Sequence, residues 1–182
     1  MTLLVISEDR YYDALRILAL KIRRTGVAMT RIKKGNMLNH DHVERHIRAY
    51  LSLHGKVSRV LVCRDSECTP IAHSKGLCSE AERAISQRLP IPVAYIVVDH
   101  SVEGWLMCDA NAVSQVVGSP VDGSKLRVDC RPADKLRRLF RTYGKTYDKS
   151  QHNKLLAEFA DPEKIRKRSP RFQEFCEAIG HP

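Results

Sequence analysis

The chain of 182 residues predicts an α/β fold, a parallel sheet of about four strands flanked by helices, followed by a helical, basic C-terminal portion. Two observations carry that expectation. Short β-branched runs alternate with stretches whose apolar residues recur at helical spacing, in the order β-α-β-α-β-α-β. Beyond residue 124 the strand-like runs stop and only helical patterns remain. Residues 1–124 are therefore expected to form the α/β core, and residues 125–182 a helical, basic extension packed on it.

Leu3–Ser7 is apolar and too short for a helix, so it reads as a buried first strand. Leu15, Leu18 and Ile22 then recur at helical spacing, with Asp9 a candidate cap and Gly26 a natural stop. Val27–Ile32 suits a second strand, closed by the turn-prone pair Gly35 and Asn36. Val43, Ile47 and Leu51 stripe a second helix, for which Asp41 is the expected N-cap. Val57–Cys63 is continuous and β-branched, as a strand covered on both faces requires. Lys75–Leu89 reads as a third helix ended by Pro90 and Pro92, and Pro92–Val98 as the fourth strand. Three helices are expected at Pro132–Tyr143, Ser150–Ala160 and Ser169–Ile179, after a boundary near Val121–Arg131.

Hydrophobic residues at 43% and charged residues at 29% are an ordinary globular balance and exclude wholesale disorder. No apolar run is long enough to cross a bilayer, and the opening residues lack a signal-peptide pattern, so no membrane association and a cytoplasmic location are expected. Six cysteines without that signal argue against a disulfide framework. Cys63 and Cys108 read as core residues, and a zinc site from Cys63, Cys68, His73 and Cys78 lacks the paired short-spaced ligands such sites use. The formal net charge is +10, and residues 125–182 hold 15 basic against 8 acidic side chains. A basic surface of that size favours a nucleic acid partner over anionic lipid, since no amphipathic anchor stands out.

The acids fall where chemistry gathers in a parallel sheet, at the carboxyl ends of strands. Glu8 follows the first strand, Asp65 and Glu67 the third, Asp99 and Glu103 the fourth. Carboxylates brought together must take up protons or bind a cation, and oxygen-only ligands select Mg²⁺ or Mn²⁺. An acidic metal site in a basic protein points to phosphodiester chemistry, with the metal neutralising the scissile phosphate and basic residues holding its flanks. Asp99 has a competing role as a turn acceptor, and Glu103 as a helix-start acid.

An acid after strand one, an Asp-x-Glu pair after strand three and the β-α-β-α-β-α-β order resemble the Toprim fold of topoisomerases, bacterial primases and OLD-family nucleases. The segments VISEDRYYDAL, VLVCRDSEC and EGWLMCDA, with the tail from Tyr147-Asp148-Lys149 to Arg168-Ser169-Pro170-Arg171-Phe172, resemble the bacterial family called domain of unknown function 4276. That family is regarded as Toprim-like and is often found beside AAA/ABC-type ATPases in phage-defence islands. The resemblance implies metal binding or acid–base work at Glu8, a metal pair at Asp65 and Glu67, further acids at Glu103 and Asp109, and phosphate stabilisation by Lys149. It also implies a separate ATPase partner. The chain departs from the Toprim pattern in its Asp-x-Glu pair, in Asp9 where a glycine is usual, and in the five-residue step from Glu8 to Asp13.

Other chemistries find little support. His42 and His46 lack the HExxH arrangement, Ser66 and Ser101 have no identifiable His–Asp partners, and no phosphate-binding Gly-rich motif occurs. Tyr11 and Tyr12 read as a helix face, and Trp105 as core or lid. The expected function is a Mg²⁺- or Mn²⁺-dependent nuclease subunit in which Asp65, Glu67 and Glu103 hold metal, Glu8 activates water and Lys149 clamps phosphate. The alternatives are a non-catalytic nucleic-acid-binding or adaptor module with a degenerate site, and a phosphatase or phosphotransferase acting on a small phosphate ester.

Overall fold

The computed structural model describes residues 2–8, 11–33 and 36–180. Asp9 and Gly35, read above as a helix cap and a turn residue, lie outside the described residues. Four strands, β1 (Leu3–Glu8), β2 (Val27–Ile32), β3 (Arg59–Asp65) and β4 (Val93–Val98), form one sheet in the order β2-β1-β3-β4. Every pairing is parallel; Val5 lies opposite Leu61, and Asp65 opposite Val98. The crossovers carry α1 (Tyr12–Ile22), α2 (His40–His54) and α3 (Ile71–Ser86). After β4 come α4 (Val102–Leu106), α5 (Ala110–Val117), α6 (Pro132–Thr142), α7 (Lys149–Phe159), α8 (Pro162–Arg168) and α9 (Pro170–Gly180).

The strands are apolar on both sides because both faces are covered. Leu4, Ile6, Val60, Val62 and Val93 pack with Val43 and Ile47 of α2 and Ile85 of α3. Leu3, Val5, Leu61, Cys63, Ile96 and Val98 point the other way, into a larger cluster with α1 and residues of α4 through α9. There Trp105 has no solvent exposure and packs edge-on against Phe172, with ring centroids 5.0 Å apart. Burying a side chain of this kind stabilises by roughly 2–3 kcal/mol. The C-terminal helices thus share one apolar cluster with the sheet.

Several elements differ from the sequence expectation. β3 runs two residues further on, because its pairing with β4 continues to Asp65. α2 is capped by Asn39, whose side chain accepts from the His42 amide, while Asp41 sits in the first turn and pairs with Arg88. The short helices α4, α5 and α8 were not foreseen; at five to eight residues they span too few turns for periodicity to register. α5 ends at Gly118 with φ 76°, a left-handed C-cap for which glycine is the natural residue.

The cysteine expectation is overturned. Cys68 and Cys130, 62 residues apart, form a disulfide across Cα atoms separated by 4.7 Å. This consumes one member of the zinc set considered above, and Cys63 is buried in the core. Sequence spacing could not show that pair, since the fold alone brings the β3–α3 loop against the segment before α6. No helix among the described residues is long and apolar enough to cross a membrane.

Candidate functional site

The parallel order places the carboxyl ends of β1 and β3 side by side, with the end of β4 next to them. Tyr11, just before α1, and Lys149, the first residue of α7, come to the same edge. Asp65 ends β3 and is 7% exposed. Burial, and after it the nearby charge of Glu8, raises its carboxyl well above the usual aspartate range; Glu103 pushes the same way and Lys149 opposes. Tyr11 lies close enough to Asp65 to feel its charge, and burial together with the Asp65 and Glu103 charges keeps its phenol protonated.

Glu103 is fully buried in the first turn of α4. Its Oε2 accepts from the Ser101 hydroxyl at 2.5 Å, and its Oε1 accepts from Asn153 Nδ2 at 3.0 Å. The Lys149 ammonium stands 3.1 Å from the same Oε1 and donates to the Tyr11 hydroxyl at 2.9 Å. Tyr147 in turn donates to Asn153. One chain of polar contacts therefore runs from Tyr147 through Asn153, Glu103 and Lys149 to Tyr11. α4 can approach the strand end this closely because residue 104 is glycine: a Cβ there would lie 2.6 Å from the Asp99 carbonyl oxygen.

The loops after β3 and β4 are joined by backbone contacts. The Ser66 amide donates to Val98 O at 3.0 Å and the Glu67 amide to His100 O at 2.7 Å, while Ser66 Oγ accepts from the His100 amide at 2.8 Å. Glu67 and His100 both take left-handed backbone angles, φ 51° and 56°. That geometry buries Asp65 and leaves Glu67 exposed, so the two acids do not close around one point as the Asp-x-Glu spacing suggested.

Asp109 is also corrected. It caps α5, its Oδ1 accepting from the Asn111 amide at 3.0 Å and its Oδ2 from the Asp161 amide at 2.9 Å, with Lys164 3.6 Å away. Both oxygens are occupied in joining α5 to α8. Glu103 is paired with Lys149, 3.1 Å away, although Asp65 still feels its charge. Asp99 accepts from Trp105 Nε1 at 3.3 Å and from the Ser169 hydroxyl, tying α4 to the start of α9. Among the described residues no group of three or more His, Cys, Asp or Glu side chains is arranged to hold a metal ion.

Of the expected site residues, the fold therefore brings together Glu8, Asp65, Glu103 and Lys149, and leaves Glu67 and Asp109 elsewhere. Sequence reasoning missed Asn153 and Ser101 as partners of Glu103, and took Tyr11 for a helix-face residue. The one available signal was the oxygen- and nitrogen-bearing set Tyr147, Asp148, Lys149 and Asn153 in a single short stretch. Beside Lys149 a cleft of about 440 Å³ opens, lined by Asp13, Arg31, Asp148, Lys149, Ser150 and Asn153 among others.

No curated protein and no solved structure matches this chain. A family model described as Domain of unknown function (DUF4276) matches residues 12–180, which leaves Glu8 and Tyr11 just outside the matched stretch. With nearly the whole sequence covered by that match, the chain belongs to the DUF4276 family.

Proposed function

We propose that the protein is a divalent-cation-dependent phosphodiester hydrolase acting on DNA, with the Toprim-like relationship as part of that proposal. The observation that carries it is Asp65, a buried carboxyl at a strand end whose ionised form is disfavoured by burial and by Glu8. A cation between Asp65 and Glu8 would relieve both costs. Two carboxylates suit Mg²⁺ or Mn²⁺, since Mg²⁺ commonly takes one or two protein carboxylates and fills its other positions with water and substrate phosphate. The absence of a three-acid group among the described residues is compatible with that donor set.

A bound cation would neutralise charge at the scissile phosphate. Glu8, which is partly exposed, would take the proton from the attacking water as that oxygen bonds to phosphorus and the ester oxygen leaves with a proton from solvent. Lys149, a third exposed, can turn its ammonium to the phosphate in the adjoining cleft while Glu103 holds it in place. Glu103 is thus a positioning residue, not a metal ligand. A separately encoded ATPase partner remains part of the proposal on the strength of the family resemblance alone.

Mn²⁺ titration of the full chain, followed by calorimetry and by nicking of supercoiled plasmid, tests this. Asp65→Asn should abolish metal binding and EDTA-sensitive nicking, whereas Glu67→Gln should leave metal binding intact. Unchanged Mn²⁺ affinity in Asp65→Asn would overturn the assignment. The second reading, a non-catalytic nucleic-acid-binding adaptor, is favoured by the pairing of Lys149 with Glu103, which occupies both groups without any ligand; it predicts duplex binding with no metal dependence.

A further inference from the structure

We propose that Arg131, Lys135 and Arg138 form an anchoring site for the phosphodiester backbone of the same nucleic acid, kept within reach of Asp65 by the Cys68–Cys130 disulfide. This rests on the hydrolase reading above and names a second contact region for its substrate. A shallow concavity of about 530 Å³ is lined by Asp129, Cys130, Arg131, Lys135 and Arg138. Arg131 is the N-cap of α6, so steps of four and three place the three basic residues on one side of that helix. Leu136 and Phe140 occupy the other side and are fully buried.

The charge balance of the concavity is positive. Asp129 accepts from the Arg131 amide at 3.1 Å and lies 3.6 Å from the Lys135 ammonium, which also donates to Arg127 O at 2.5 Å. Asp134, the acid of α6 itself, is paired with Arg137. Among the described residues neither Arg131 nor Arg138 forms an ion pair, and both are exposed. Two guanidinium groups can each meet a phosphate with two parallel hydrogen bonds. An anionic membrane fits less well, because the apolar residues of α6 are turned into the core and none is left to insert.

The disulfide sets the geometry. Cys68 is three residues beyond Asp65, and Cys130 immediately precedes Arg131. With 4.7 Å between the cysteine Cα atoms, Asp65 and Arg131 can be no more than about 20 Å apart along this path. One duplex strand presents a phosphate about every 3.4 Å of helix axis, so at most roughly six nucleotides would bridge anchor and site.

Anisotropy titration of the full chain with a short random-sequence DNA duplex, in EDTA and across a salt series, tests the anchor independently of metal or turnover. Arg131→Gln and Arg138→Gln should each weaken binding several-fold and lower the salt slope by about one. Arg45→Gln on α2, across the sheet, is the control and should change neither. Wild-type slopes in both variants, or an equal loss in the control, would overturn the anchor. So would a loss of binding to phosphatidylserine vesicles with duplex affinity unchanged. Failure of the hydrolase reading would be seen separately, as intact metal binding in Asp65→Asn.

Discussion

The ammonium of Lys149 lies 3.1 Å from the Oε1 of Glu103, a carboxylate with no exposure to solvent. Lys149, Asn153 and Ser101 together meet the two oxygens of Glu103, as a buried carboxylate requires. The pair joins the first turn of α4 to the first turn of α7, and so couples the strand-end loops to the C-terminal helices.

Removing the cation should cost more than removing the acid. Lys149→Met leaves a buried charge with only neutral partners, and a loss of about 2–3 kcal/mol is expected, below the range for fully enclosed pairs because Lys149 keeps part of its side chain in water. Glu103→Gln should lose less, since the amide can still bond Ser101 and Asn153. Urea denaturation of both single variants and the double variant measures the coupling, and additive losses would show that the two side chains do not interact.

Asp65 should make stability fall as pH rises. Its folded pKa lies above its unfolded value, so the folded state holds the extra proton, and the associated stability is present below the ordinary aspartate pKa and lost as pH climbs through the raised one. Asp65→Asn should therefore melt higher than the parent at neutral pH and flatten the dependence. Thermal melts from about pH 4 to about pH 8 in EDTA check this; a variant that melts lower at neutral pH would contradict it.

Reduction of Cys68–Cys130 should destabilise the fold by about 2–4 kcal/mol, because the bond closes a loop of 62 residues. Both cysteines are exposed, so a mild thiol reductant should reach them. Urea midpoints with and without reductant, set beside a Cys68→Ser/Cys130→Ser double variant, give the measurement. The double variant should be insensitive to reductant.

Asp109→Ala should lose about 2 kcal/mol or somewhat more, since the caps of α5 and the Asp161 amide both depend on it. Asp109→Asn, which keeps an oxygen for the cap, should lose less. Mn²⁺ affinity should be unchanged in both, and a drop in affinity without a drop in stability would return Asp109 to the metal site.

Much of the fold was legible because its signals are local. Val5, Val60 and Val97 mark strands, and Val43 with Ile47 marks a helix, through neighbours within a few residues. Pro90 and Gly26 mark stops in the same way. The site was legible only in part. An acid at the end of a buried strand, such as Asp65, is conspicuous in the sequence, but Glu67 two residues later is equally conspicuous and is turned outward by a left-handed backbone. Asp109 looked like a ligand and is a cap, a distinction that depends on where the Asp161 amide lies 52 residues away.

Residue type and short-range spacing were enough to show the alternation of strands and helices, the basic C-terminal portion and the acids at strand ends. Which of those acids meet depends on the folded chain. It joined Glu103 to Asn153 across 50 residues and Cys68 to Cys130 across 62. Such partnerships have no short-range signature: they exist because both faces of one sheet had to be covered, and the covering helices brought distant polar groups to the same edge.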